Sequence, residues 1–264
     1  MFIINMFIKR RPRVNLMETL QIDPLNQLIP GGIPFGYLIL VRGDLGMGKT
    51  LMVKQIARGI LSKYPVLYIT FDDDPVSIRS ELSGYESRLF IIDGFNLGES
   101  TGRLIPNVVG NITELDPRQL LNIMQTNLPQ VKARGIVIDS INDLLTNVDP
   151  RSLLLLLKEV KMITRRYGTL SVVVAHTTTE DISSIIDNME YVFDGIIEIE
   201  LDPNLAQLGI PVRRLRVKRL KGLPHTIDWF YFTISRSNMV PVNIDDIKKA
   251  LGAALNIKGG DVQG

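Results

Sequence analysis

The sequence predicts an α/β protein: a mainly parallel sheet with helices on both faces and an antiparallel extension toward the carboxyl end. Three observations predict it. An apolar run at residues 37–41 leads into a glycine-rich turn and then into a helical pattern at 51–61. Apolar or β-branched runs then alternate with helical patterns, as in βαβ units. After residue 195 the apolar runs shorten and are joined by turns, which suits antiparallel pairing.

Along the chain, residues 1–8 are apolar apart from Asn5 and are followed by Lys9-Arg10-Arg11-Pro12-Arg13. A membrane span needs about 20 apolar residues, and a signal peptide places its charges before the apolar stretch. Neither pattern fits, so 1–16 reads as a disordered arm, with Met17 a plausible start and a docking strand the alternative. Residues 17–244 read as one domain and 245–264 as a tail with a short helix and a frayed, glycine-rich end.

Within the domain, 66–71 is a strand closed by Asp72-Asp73-Asp74, and Pro75 opens a helix. Residues 89–93 form a strand, and 94–117 a polar connection. Residues 119–133 form a helix that Pro129 is expected to bend or interrupt. Then follow a β-branched strand at 135–139, a helix at 152–167 ended by Gly168, and a core strand at 170–175. The extension consists of strands at 196–201, 212–217 and 229–234. No internal repeat is present.

Composition narrows the function classes. A chain of 264 residues, 45% hydrophobic, buries a large core in one α/β domain. Thirty basic against 28 acidic residues leave a net charge of +2, so no strong global field draws the chain to nucleic acid or membrane. The absence of cysteine excludes disulfides, a thiol nucleophile and cysteine–metal sites, and it fits a cytoplasmic location. Two histidines, His176 and His225, are too few and too far apart in sequence for a zinc site.

The chemistry starts at Gly43-Asp44-Leu45-Gly46-Met47-Gly48-Lys49-Thr50, a full match to the phosphate-binding pattern Gly-x-x-x-x-Gly-Lys-[Ser/Thr] between strand and helix. A polyphosphate needs converging backbone N–H donors, and the glycines let the chain curl close enough to offer them. Lys49 supplies a charge for the β- and γ-phosphates, and the Thr50 hydroxyl is a Mg²⁺ ligand. The loop points to binding of a nucleoside triphosphate.

A second signal is Ile136-Val137-Ile138-Asp139-Ser140, a buried strand whose acid emerges at its carboxyl end, where parallel sheets place ligands. Asp139 is expected to hold the Mg²⁺ shell beside Thr50. The third is the acidic run: Asp74 suits a helix N-cap, while Asp72 or Asp73 faces the nucleotide and polarises the attacking water. His176 ends the 170–175 strand and is either a γ-phosphate sensor or a satisfied histidine at a strand end.

Together these segments resemble a known family, the KaiC-type ATPases, relatives of RecA and RadA. Gly31-Gly32-Ile33-Pro34-Phe35-Gly36 resembles the family's approach to the phosphate loop, and Phe71-Asp72-Asp73-Asp74-Pro75 its Phe-Glu-Glu-Ser-Pro strand end. Gly84-Tyr85, with the strand after it, is similar to its Gly-Trp segment. Tyr191-Val192-Phe193-Asp194-Gly195-Ile196-Ile197 resembles its Val-x-Asp-Gly-Val-Ile strand, and Arg219-Leu220-Lys221-Gly222-Leu223-Pro224-His225 its Lys-x-Arg-Gly-x-x-His element. The resemblance runs from about residue 19 to 242, in family order.

It implies a RecA-like P-loop NTPase core, ATP and Mg²⁺ as cofactors, and assembly with copies of itself into a hexameric ring or a filament with ATP between subunits. Arg219 and Lys221 would then reach a neighbour's nucleotide, with the Lys and Arg positions exchanged. Asp72 is one methylene shorter than the family's glutamate, which implies slow hydrolysis.

Among such ATPases the resemblance leads to a RadA-paralogue-like accessory factor in DNA recombination or repair, with single-stranded DNA or recombination proteins as partners. The alternative is a nucleotide-dependent regulatory scaffold that recruits proteins without DNA. RecA-type DNA loops correspond to 142–152, with one base, Arg151, and 177–190, with Glu180, Asp181, Asp187 and Glu190 and no base. Such loops repel phosphates, which argues against strand exchange. The cations at 213–221 leave a DNA contact open.

Overall fold

The computed structural model describes residues 18–98, 105–235, 238–247 and 249; the arm expected at 1–16 and most of the tail lie outside them. A two-stranded antiparallel pair, β1 (Thr19–Leu20) with β2 (Ile33–Pro34), brackets the short helix α1 (Leu25–Leu28). The remaining strands form one ten-stranded sheet.

In chain order the sheet's strands are β3 (Leu38–Gly43), β4 (Val66–Thr70), β5 (Leu89–Asp93), β6 (Val108–Asn111), β7 (Gly135–Asp139), β8 (Leu170–His176), β9 (Gly195–Leu201), β10 (Arg213–Leu220), β11 (Phe230–Ser235) and β12 (Asn238–Pro241). Across the sheet the order is β12-β11-β10-β9-β3-β8-β7-β4-β5-β6. From β9 to β6 all pairs are parallel, and β10, β11 and β12 add antiparallel to the β9 edge.

The helices are α2 (Lys49–Leu61), α3 (Pro75–Glu81), α4 (Pro117–Val131), α5 (Asn142–Asn147), α6 (Pro150–Tyr167), α7 (Glu180–Met189) and α8 (Pro203–Gln207). Residues of α1, α2 and α3 pack with one face of the sheet, where Met52, Ile56, Ile60 and Ile78 meet Val41, Tyr68 and Val172. Residues of α4 to α7 pack with the other, where Leu120, Met124, Leu156, Val160 and Ile186 meet Leu40, Ile69 and Ile138. Parallel strands buried on both faces must be apolar throughout, which is why β3, β4 and β7 read as continuous runs rather than alternating ones.

Several expectations need correction. The connection at 94–117 contains the edge strand β6, parallel to β5, and α4 starts at Pro117 under an Asp116 cap. Pro129 neither ends nor interrupts α4, which runs two residues further to Val131. The stretch read as a loop at 142–152 holds α5 and the start of α6, and the stretch at 177–190 is mostly α7. Its acids were the misleading signal: Glu180 and Asp181 occupy the first turn of α7, where the helix dipole favours negative charge, and Thr179 caps it. A further strand, β12, follows β11 in a hairpin.

Candidate nucleotide site

The turn from β3 into α2 takes its shape from three glycines at positive φ: Gly43 at 150°, Gly46 at 74° and Gly48 at 100°. At Gly43 the neighbouring strand comes so close that a Cβ would lie 1.9 Å from the Ile199 carbonyl oxygen, so only glycine fits. At Gly46 a Cβ would meet nothing within 4 Å, so open space lies over the loop. Leu45, at its tip, is 62% exposed.

The loop is tied at both shoulders. Asp44 accepts a hydrogen bond from the Thr177 hydroxyl (2.6 Å), and Arg213 donates to the Gly46 carbonyl from Nε and Nη2 (3.3 and 3.2 Å). Met47 packs partly buried against the core, and Gly48 caps α2. Lys49 is buried to 2% exposure and donates to the Asp44 carbonyl. Burial lowers its pKa from 10.5 to about 8, against the opposing pull of Asp44, Asp139 and Asp72.

Asp139 ends β7 beside β4, and its carboxylate lies 3.4 Å from the Thr50 hydroxyl. Its other oxygen accepts from the phenol of Tyr68 (2.6 Å), itself fully buried in β4. Burial raises the Asp139 pKa to about 6; the Tyr68 bond works against that rise and the charge of Asp72 adds to it. A buried carboxylate next to a threonine hydroxyl is a donor pair suited to Mg²⁺, which takes one or two protein oxygens and completes its shell with phosphate and water. Among the described residues no group of three or more His, Asp or Glu side chains could hold a metal ion by itself.

The acidic run is divided among three tasks. Asp72 points toward β7 and β8: one oxygen accepts from the Ser140 hydroxyl (3.0 Å), and the other lies 2.8 Å from His176 Nε2. Burial pushes its carboxyl up, but the bonds from His176 and Ser140 outweigh this and hold it below the usual value. Asp73 turns away, to the Lys54 ammonium at 3.2 Å. Asp74 caps α3 through the N–H groups of Val76 and Ser77, as its place before Pro75 foretold. His176 is held by its backbone, since the Asn142 side chain accepts from its N–H (2.7 Å) and donates to its carbonyl (2.9 Å).

Arg219 and Lys221 are not brought to this chain's own loop. Leu220 is in register with Gly195, and Gly195 with Ile39, so they lie level with the amino end of β3, whereas Gly43 ends that strand at its carboxyl side. Arg219 donates to the carbonyls of Glu190 and Phe193, and Lys221 to that of Tyr191 (2.7 Å). Beside α2 lies a cavity of about 410 Å³ lined by Thr50, Leu51, Lys54, Arg58, Glu81 and Ile234.

Reading the sequence missed Tyr68, Ser140, Asn142, Thr177, Arg213 and Lys54 as parts of this site. Ser140 and Thr177 had a signal, since each directly follows a singled-out strand-end residue. Lys54 had another: it stands four residues after Thr50 and so on the same helical face. Tyr68, Asn142 and Arg213 had none.

The arrangement places an open glycine cradle, a buried lysine, a threonine–aspartate pair and a braced acid at the carboxyl ends of parallel strands, where such sheets bind ligands. Among the described residues no helix is long and apolar enough to cross a membrane. Comparison with known proteins agrees with the geometry. The family described as "ATPase: KaiC" matches residues 19–246. A UPF0273 protein of Pyrococcus horikoshii is 25% identical over 232 residues, covering 83% of this chain and 91% of that protein. The circadian clock oscillator protein KaiC of Parathermosynechococcus lividus is 25% identical over 233 residues, 83% of this chain and 41% of that longer protein. Among solved structures, a KaiC-like protein from Pyrococcus horikoshii OT3 shares the fold, with a TM-score of 0.65 over 86% of this chain and 99% of that one at 17% identity. With nearly the whole described chain matched, phosphate loop and late basic element included, this protein belongs to the KaiC family of ATPases, within the RecA superfamily.

Proposed function

We propose that this chain binds Mg-ATP in the loop from Gly43 to Thr50, hydrolyses it slowly, and works as a nucleotide-operated scaffold in a ring or filament of its own copies. The observation that carries the reading is the convergence of Lys49, Thr50, Asp139 and Asp72 around the open glycine turn. Loop N–H groups and the Lys49 ammonium bind and orient the triphosphate, while Thr50 and Asp139 hold Mg²⁺. The bound ion supplies charge neutralisation between the phosphates. Asp72, kept ionised, accepts a hydrogen bond from the attacking water. Both its oxygens are already engaged and its side chain is short, which supports slow turnover.

Arg219 and Lys221 sit toward the amino ends of the parallel strands, away from their own loop at the carboxyl ends, so a role in stabilising transition-state charge is open to them only at a neighbour's nucleotide. That is a head-to-tail contact, of the kind that closes rings or extends filaments.

The ion pairs of β10 support the scaffold over a DNA accessory factor. Arg214 pairs with Glu200 and Asp202 (2.5 and 2.8 Å), Arg216 with Glu198 (2.7 Å), and Lys218 with Glu190 and Glu198 (3.0 and 3.3 Å). These acids offset the charge of Arg214, Arg216 and Lys218, which weakens the field a phosphate backbone would meet on this strand and supports a reading without single-stranded DNA. ATPase rate with and without single-stranded DNA, alongside sizing with and without ATP, tests the reading. ATP-dependent assembly without DNA binding at low salt supports it; DNA-stimulated turnover overturns it in favour of the accessory factor.

A further inference from the structure

Lys54 is an ammonium in the wrong place for a surface charge. It is 3% exposed, on the buried side of α2, one turn beyond Thr50. Burying an ammonium is unfavourable unless carboxylates meet it, and two do: Asp73 at 3.2 Å and Glu81 at 2.6 Å. Both belong to the segment that carries Asp72. Asp73 is the next residue, and Glu81 ends the helix α3 that follows. Arg58, a turn further along α2, adds a bond to the Glu81 carbonyl (2.9 Å).

The turn after β4 is therefore fixed from three sides. Lys54 holds it to the phosphate-loop helix, and Thr70 braces it from within, donating to the Asp73 carbonyl (2.6 Å) and accepting from the Asp73 N–H (3.3 Å). Ser140 and His176 hold the Asp72 carboxylate itself. Adjacent carboxylates repel, so an unpaired Asp73 would compete with Asp72 for the same donors. A cation on the other side of the turn removes that competition.

From this geometry we infer that Lys54 is a positioning residue: by anchoring Asp73 and Glu81 to α2 it sends one carboxylate of the acidic pair away and fixes Asp72 alone toward Ser140 and His176. The inference rests on the proposed role of Asp72 in ATP hydrolysis. Lys54 shares a cavity with Thr50, but its hydrogen bonds go to Asp73 and Glu81 and not to the phosphate loop, Thr50 or Asp139, so its effect is expected on turnover more than on binding.

The test replaces Lys54 with methionine, which keeps an unbranched apolar stem and removes the charge. Turnover is expected to fall about tenfold or more while KM for ATP stays within about twofold, because small displacements of a reacting group cost rate rather than affinity. Lys54→Arg, retaining a buried cation, is expected to recover most of the rate. If Lys54→Met does not fold, Lys54→Gln, which keeps a polar end group but no cation and leaves Asp73 charged, is read the same way. Unchanged turnover in the folded variant overturns the inference, as does a loss of ATP affinity equal to the loss of rate.

A second measurement does not depend on hydrolysis. The chain has two histidines, so the ring C–H resonances of His176 are readily assigned by NMR. At one fixed pH, Lys54→Met is expected to move them at least half of the way to their positions in Asp72→Asn. Resonances that stay at wild-type positions overturn the inference. If the wild-type chain hydrolyses no ATP, the proposed function fails there, and the His176 resonances still decide the role of Lys54.

Discussion

Lys49→Met should make the empty protein more stable while removing its ligand. The Lys49 pKa drops from 10.5 to about 8 in the folded chain, chiefly through burial. At about 1.36 kcal/mol per unit, holding this side chain charged costs the fold about 3 kcal/mol at neutral pH. Methionine removes the charge, keeps the stem, and forfeits the hydrogen bond to the Asp44 carbonyl, worth about 1 kcal/mol. The net gain is about 2 kcal/mol, or a melting temperature higher by about 4–8 °C in a domain of this size.

The pH dependence follows from linkage. Between about 8 and 10.5 the unfolded chain binds more protons at this lysine than the folded one, so wild-type stability rises through that window. The advantage of the variant is therefore full below pH 8 and gone by about pH 10.5. Thermal melts of nucleotide-free protein at pH 7 and pH 10.5, with binding of a fluorescent ATP analogue measured alongside, check both halves. A variant that melts at or below wild type at pH 7 refutes the burial argument, and one that still binds ATP tightly refutes the site.

Other outcomes follow from the same geometry. Asp72→Asn should suppress turnover by about a hundredfold or more and leave ATP affinity unchanged; full turnover in a single-turnover assay would place the water-activating acid elsewhere. Gly43→Ala forces a Cβ to within 1.9 Å of the Ile199 carbonyl, so β3 and β9 must separate and the soluble yield should collapse; a well-folded variant by circular dichroism would contradict it. Pro129 is exposed inside α4, so Pro129→Ala restores a helical N–H without losing packing and should stabilise by about 1 kcal/mol or more in urea titration. Arg219→Ala should abolish hydrolysis in the assembled protein at unchanged ATP affinity, an effect that wild-type subunits mixed into the assembly partly rescue.

Much of the fold was legible because buried parallel strands advertise themselves. The strands 89–93 and 135–139 coincide with β5 and β7, and most other core boundaries moved by one or two residues. The misses are local. β6 and β12 are short edge strands whose residues are half exposed, so no apolar run marks them. α7 was hidden by acids that stabilise its first turn, and Pro129 stands so near the end of α4 that the helix has only two residues left to run beyond it. The candidate site divides in the same way. Residues carried by a contiguous motif, from Gly43 to Thr50, were legible, and Asp139 and His176 were marked by their places at the ends of apolar runs.

By itself the sequence determined the class of ligand: a turn of three glycines ending in Lys49-Thr50 has one chemistry, and its residues are neighbours along the chain. It also determined the parallel core, because strands buried on two faces leave a hydropathy signal that survives without partners. Only the tertiary structure decided which of three adjacent aspartates faces the site, since Lys54, Ser140 and His176 come from three different elements. It likewise decided that Arg214, Arg216 and Lys218 of β10 meet the acids Glu198 and Glu200 of β9, a cross-strand pairing that depends on register. It placed Arg219 and Lys221 toward the amino ends of the parallel strands, away from their own loop at the carboxyl ends. The reason is the same throughout: a motif fixes the groups a chain offers, while burial and charge depend on what the fold packs against them.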